Sequence, residues 1–196
     1  MEAHADPLSA PQEPPAAQGT RPDARARARF GRRFALIVVA GAALIALGVF
    51  GLAGGGGPPR RAPELPAQLL VGPRTTLPAM LAGAHGGPVL VVFWASWCGP
   101  CQSEARAFAR FAASPAGRGR VVGVNWSDNT GGARAFVKQY GWTFPNVRDP
   151  LGKVGYAYRI SNLPTTFVVG PSQRILAELH GPQSEAALDS ALASAS

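Results

Sequence analysis

Phe93-Trp94-Ala95-Ser96-Trp97-Cys98-Gly99-Pro100-Cys101 closes an apolar, β-branched run, Val89 to Phe93, and opens a segment with helical spacing, Pro100 to Ala113. The run reads as a buried central strand, and Ala105, Phe108, Ala109, Phe111 and Ala112 fall on overlapping faces of the helix. Cys98 therefore stands at a helix N-terminus, where unsatisfied N–H groups and the positive end of the macrodipole favour thiolate over thiol. Cys101 lies one turn further on, the same helical face carries both sulfurs, and the pair has the spacing to close a disulfide. Pro100 suits the first helical turn, where its missing N–H is not needed.

These are the only cysteines among 196 residues, too few for a disulfide-stapled scaffold or a closed four-ligand zinc site. With 46% hydrophobic residues the chain is not wholly disordered, and the Ala67 to Ser196 stretch alternates apolar runs with helix-like segments, as an α/β domain does. Downstream of the dithiol, Val121 to Asn125 reads as a strand and Ala133 to Tyr140 as a helix. A strand near Phe144 to Val147 and a short helix from Pro150 to Tyr158 follow. Thr165 to Val169 and Arg174 to Leu179, joined by Gly170 to Gln173, read as a β-hairpin, and a last helix runs from about Pro182 to Ala193.

Upstream, only 15% of the chain is charged and the mean hydropathy is +0.05, a balance that one membrane segment would explain. Phe34 to Ala53 is twenty residues without a charge, enough for a helix of roughly 30 Å. Arg21, Arg25, Arg27, Arg29, Arg32 and Arg33 precede it, a basic cluster expected to stay cytoplasmic. The expected organisation is a disordered cytoplasmic tail (1–33), a transmembrane signal-anchor (34–53), a Gly/Pro linker (54–66) and an extracytoplasmic domain (67–196). The length of the apolar run favours a retained anchor over a cleaved secretory signal, and either reading exports the domain. A nucleic-acid arm is the lesser reading of the arginines, and no nucleic acid is expected as partner.

FWASWCGPC, followed by Asn162-Leu163-Pro164-Thr165-Thr166-Phe167-Val168-Val169, a hairpin and a terminal helix, resembles the thioredoxin superfamily. Within it the chain is similar to the membrane-anchored TlpA/ResA-like thiol-disulfide oxidoreductases, over roughly Leu69 to Ala193. The resemblance implies a thioredoxin fold: a central mixed sheet flanked by helices, with a β-α insert near Val121 to Tyr140. It also implies reduction of protein disulfides, among them those of apocytochrome c or its assembly partners. The family's cis-proline falls on Pro164, which would face the dithiol, with the Leu163 backbone pairing to an extended substrate. Trp97, Gly99, Pro100, Leu163 and Thr165 are the expected substrate-binding positions.

The chain departs from the family in two places. Thioredoxin's buried acid, which takes the proton of the second cysteine, falls on Val92, and aligning the family's insert pattern to Val124-Asn125-Trp126-Ser127-Asp128 moves the role to Asp128. Asp128 is equally well read as a helix cap, since Ser127-Asp128-Asn129-Thr130 are all capping residues. Arg106 stands where many relatives have a proline, whereas Glu104 matches their pattern and can simply complement the helix dipole. Trp94 reads as platform or core, and Trp126 and Trp142 as packing. His85 and His180 lack ligand-like spacing.

The expected reaction uses Cys98 as nucleophile and Cys101 as resolving thiol, with no cofactor. Because no third cysteine recharges the pair, reduction of clients requires an external donor, a thiol-bearing membrane protein. Oxidation of secreted thiols would use the same residues, and a non-catalytic metal- or partner-binding module is the alternative of another class.

Overall fold

In a computed structural model, which describes residues 60–196, Val89–Trp94 (β2) is buried along its whole length at the centre of a six-stranded mixed sheet. The other elements, in chain order, are β1 (Leu69–Val71), α1 (Leu77–Gly83), α2 (Gly99–Ala113), β3 (Val121–Trp126), α3 (Thr130–Tyr140) and β4 (Asn146–Asp149). The chain continues through α4 (Lys153–Tyr158), β5 (Thr165–Val169), β6 (Ile175–His180) and α5 (Glu185–Ala193). The strand order is β1-β4-β3-β2-β5-β6, with β2, β3 and β4 parallel and β1, β5 and β6 antiparallel to their neighbours.

Alternation along β2 explains why its sequence is apolar at every position. Leu90, Val92 and Trp94 enter one core with Phe108, Phe136 and Leu188, from α2, α3 and α5. Val89, Val91 and Phe93 enter the other with Leu77 and Met80 of α1 and Tyr158 of α4. The parallel β2-β3-β4 order requires crossovers, supplied by α2 and α3, and it brings the carboxyl ends of all three strands to one end of the sheet.

The expected α/β domain and its hairpin are present, with β3 and α3 at the position of the expected β-α insert. β1 and α1 were not foreseen: β1 has three residues, and α1 is announced only by Thr76, whose hydroxyl caps the Ala79 N–H, and by Pro78 in the first turn. The strand expected at Phe144 begins at Asn146, since Pro145 offers no N–H and Phe144 turns into the aromatic cluster against Trp142.

The second half of the expected 54–66 linker belongs to the domain. Arg61 bridges Arg174, Ala62 is buried, and backbone bonds join Ala62 N to Gln173 O at 2.7 Å and Ile175 N to Arg60 O at 2.9 Å. Prolines compatible with a linker are equally compatible with an extended segment laid on a sheet edge. The expected tail (1–33) and transmembrane anchor (34–53) lie outside the described residues, among which no helix is long and apolar enough to cross a membrane.

Candidate active site

β2 delivers the chain to Ala95, a turn closed by Cys98 N to Ala95 O at 3.2 Å reverses it, and α2 begins with Cys98 as its N-cap. The Cys98 sulfur accepts the Cys101 N–H at 3.1 Å, so a helix-terminal donor is aimed at the atom that would carry thiolate charge. Cys98 and Cys101 are joined as a disulfide, with Cα atoms 5.2 Å apart. Both cysteines are buried in this disulfide form, Cys98 at 4% and Cys101 at 1% exposed. Pro100 occupies the first turn, and α2 runs unbroken through Arg106, whose guanidinium lies 5.9 Å from the Tyr140 ring centre.

The loop before the cysteines is held by Asp128. Its carboxylate accepts from Ser96 N at 2.6 Å, Ser96 Oγ at 2.9 Å, Asn125 Nδ2 at 2.8 Å and Asn129 N at 2.8 Å. These bonds fill the acceptor positions of both oxygens and tie the end of β3 to the dithiol loop. The cap of α3 is Asn129, whose Oδ1 accepts from Gly132 N.

Pro164 follows a cis Leu163-Pro164 bond. Phe93 pairs with Thr165, so Pro164 lies one position beyond that pair, where β2 runs on toward the dithiol loop. Thr165 Oγ1 donates back to Asn162 O at 2.9 Å, and Gly181 N donates to Pro164 O at 3.0 Å, which fixes the segment from both sides. Leu163 packs against both cores. Trp97 is 58% exposed beside Cys98, and its Nε1 donates to Ser127 O at 3.2 Å. Trp94 is core: it is fully buried against Phe136 and Trp142, with Nε1 donating to Asn146 Oδ1 at 3.0 Å.

Glu104 is the residue whose importance the sequence understated. It lies on α2, i+3 from Cys101, and is only 2% exposed. Burial pushes its carboxyl up to about 8 from the ordinary 4.5, offset in part by the Gln183 N–H at 2.8 Å. Its other oxygen, Oε1, is buried without a partner. The sequence offers only its i+4 spacing to Phe108 as a signal, which does not by itself separate a buried acid from a dipole complement. His85 and His180 stay apart from the cysteines: His85 is in the turn after α1, and His180 faces Glu178 at 3.6 Å. Among the described residues no group of three His, Cys, Asp or Glu could hold a metal ion.

Residues 60–177, more than half of the chain, match the AhpC/TSA family. The chain belongs to that family. It is similar to the thiol:disulfide interchange protein HelX of Rhodobacter capsulatus, 35% identical over 97 residues, which are 49% of this chain and 53% of that protein. The thiol-disulfide oxidoreductase ResA of Bacillus subtilis is 32% identical over 109 residues, 54% of this chain and 59% of ResA. The chain thus spans little more than half the length of these curated relatives. Among solved structures, StoA from Bacillus subtilis superimposes with a TM-score of 0.57 at 26% identity, covering 66% of this chain and 96% of StoA. MTB dsbF, solved in mixed oxidised and reduced forms, gives 0.58 at 26% identity, covering 72% of this chain and all of that one. The fold is thioredoxin-like.

Proposed function

We propose that the protein is a membrane-tethered, extracytoplasmic thiol-disulfide oxidoreductase that reduces disulfides in exported proteins, apocytochrome c or its assembly partners being the clients that the resemblance suggests. The observation that carries this reading is the Cys98–Cys101 disulfide at the start of α2, with the Cys101 N–H directed at the Cys98 sulfur.

In the reduced protein, the Cys98 thiolate attacks one sulfur of the client disulfide, and the other client sulfur leaves as thiolate. Cys101 then loses its proton and attacks the Cys98 sulfur, which releases the second client thiolate and closes Cys98–Cys101. Two electrons pass to the client, and a thiol-bearing membrane donor must return them, since the chain has no third cysteine.

Glu104 supports the proton step better than Asp128 does. A carboxyl raised to about 8 is matched to a thiol proton near neutral pH, and it lies one turn from Cys101. Asp128 spends its oxygens on Ser96, Asn125 and Asn129, which suits the role of holding the loop. Trp97, Gly99, Pro100 and Leu163 would make the surface on which the client chain lies; Thr165, expected there too, is buried and instead holds that segment through its bond to Asn162 O, and Pro164 sits at the end of β5 nearer the dithiol loop.

The test is the equilibrium reduction potential of the Cys98/Cys101 pair, followed by tryptophan fluorescence through thiol/disulfide buffers. A two-electron transition near about −270 mV, the thioredoxin value, is expected; one near about −120 mV, the DsbA value, would make the protein an oxidant of exported chains.

A further inference from the structure

Four large apolar side chains are exposed among the described residues, and three of them lie at the dithiol end of the sheet: Trp97, Leu151 (77%) and Tyr156 (86%). Leu151 follows β4 and Tyr156 is on α4, whereas Trp97 adjoins Cys98, so different segments converge on one surface. Between them is a cleft of about 460 Å³, walled by Trp126, Ser127, Leu151, Lys153, Tyr156 and Ile160. Its rim is joined to the dithiol loop, because the Ser127 carbonyl that borders it accepts the Trp97 indole N–H at 3.2 Å.

The cleft is held in shape by backbone. A Cβ on Gly155 would run into the Nε1 edge of the Trp126 indole, so the ring can approach α4 only because residue 155 has no side chain. Gly155 N also donates to Asp149 Oδ2 at 2.8 Å, which pins α4 to the end of β4. Ser127 adopts φ +47, outside the usual range for a residue with a side chain. Lys153 and Arg159 are the charged residues from 150 to 165, with no acid among them, and the neighbouring Asp128 and Asp149 are buried in hydrogen bonds.

We propose that this cleft receives a bulky apolar side chain of the client polypeptide, set a few residues along the chain from the cysteine that joins Cys98, and thereby selects clients. The proposal rests on the exchange function given above. An apolar patch tied to the dithiol loop by the Trp97–Ser127 bond gains nothing by exposure except a partner, and a client anchored there is held while the mixed disulfide forms. Lys153 in the wall favours a neutral or acidic segment over a basic one. A second copy of this chain or a lipid surface is the competing occupant.

The test uses the full chain, reduced, in single-turnover reactions with two disulfide peptides that differ only in carrying Phe or Ser at each of the positions three to five residues from the reacting cysteine, and with glutathione disulfide. The wild type should reduce the Phe peptide about tenfold faster at sub-saturating concentration, as one apolar side chain in a pocket gives. The Leu151→Ser/Tyr156→Ser double variant should lose that preference and keep its rate with glutathione disulfide. No preference in the wild type overturns the proposal, as does an equal loss with glutathione disulfide. So does an unchanged preference in the double variant, even where that variant abolishes a dimer or binding to vesicles. If the wild type reduces glutathione disulfide without distinguishing the peptides, the cleft proposal alone fails; if it reduces none of the three, the exchange function fails with it.

Discussion

Glu104 Oε2 accepts the Gln183 backbone N–H at 2.8 Å, so an acid buried one turn from Cys101 is tied to the loop that enters α5. The bond lowers the carboxyl only in part, and burial holds it at about 8. In the folded protein Glu104 therefore keeps its proton between about pH 4.5 and 8, where the unfolded chain has released it. The unfolded state binds fewer protons across that window, so stability falls as pH rises through it, by up to about 5 kcal/mol. Its contribution is complete below about 4.5 and lost above about 8. Glu104→Gln removes the titration. The difference in unfolding free energy, variant minus wild type, should rise from pH 5 to pH 8 in denaturant titrations of the oxidised protein; a difference independent of pH contradicts the burial argument.

The same substitution should change the second step of exchange. With Glu104 present, closure of the mixed disulfide by Cys101 should show an inflexion near pH 8; in Glu104→Gln that inflexion should vanish and the step at pH 7 should slow about tenfold or more. Rapid-quench measurement of the mixed disulfide over pH 5 to 9 reads this directly. If Asp128→Asn instead abolishes the inflexion, the proton passes through Asp128.

Asp128 should act mainly through the loop that it holds. Asp128→Ala leaves the Ser96 N–H and Asn125 Nδ2 without acceptors in a half-buried site, at a cost of about 3 kcal/mol. Urea unfolding of the oxidised form is the measurement, and a loss under about 1 kcal/mol would mean that water replaces the carboxylate.

Gly123 is the position on β3 that lets two polar side chains meet in the core. Trp94 Nε1 donates to Asn146 Oδ1 at 3.0 Å across its Cα, and a Cβ there would collide with the Asn146 amide. Gly123→Ala should lower stability by about 3 kcal/mol, seen as a fall in Tm of roughly 10 °C. In an Asn146→Ala background, where the obstacle is gone, the same change should cost much less. Additive losses would locate the strain elsewhere.

The sequence carries the central strand, the dithiol helix and the β5–β6 hairpin because each is written in local patterns: an apolar run, a CxxC at a strand-to-helix junction, and a turn of fixed length. The cis-proline position is carried by its resemblance to a family motif. β1 escapes because three residues are too short for a period, and its pairing with β4 is a tertiary event. Glu104 escapes because an acid near a helix start is a common dipole complement, and only the packing of α5 shows that it is buried. Asp128 looked like a cap from its neighbours, yet it is Asn129 that caps α3 while Asp128 reaches back to Ser96, 32 residues earlier. Long-range partners of polar side chains leave no trace in spacing.

The boundary at Arg60 gives the last prediction. Composition places the start of the domain at Ala67, but Arg60 Nη2 donates to Tyr158 O at 2.7 Å, Tyr158 OH donates to Pro63 O at 2.9 Å, and Ala62 is buried. A chain beginning at Ala67 loses these two bonds and the two backbone bonds to Gln173 and Ile175, and leaves the phenol of the buried Tyr158 without its acceptor. Relative to a chain beginning at Gly56 it should be less stable by about 3 to 5 kcal/mol, at roughly 1 kcal/mol per bond. The reduction potential of Cys98/Cys101 should be the same in both chains. Residues 60–62 lie against the 170–175 turn, near the Val89–Val169 pair at the start of β2, and the dithiol follows the other end of that strand. Equal stability of the two chains would show that the segment adheres to the domain without supporting it.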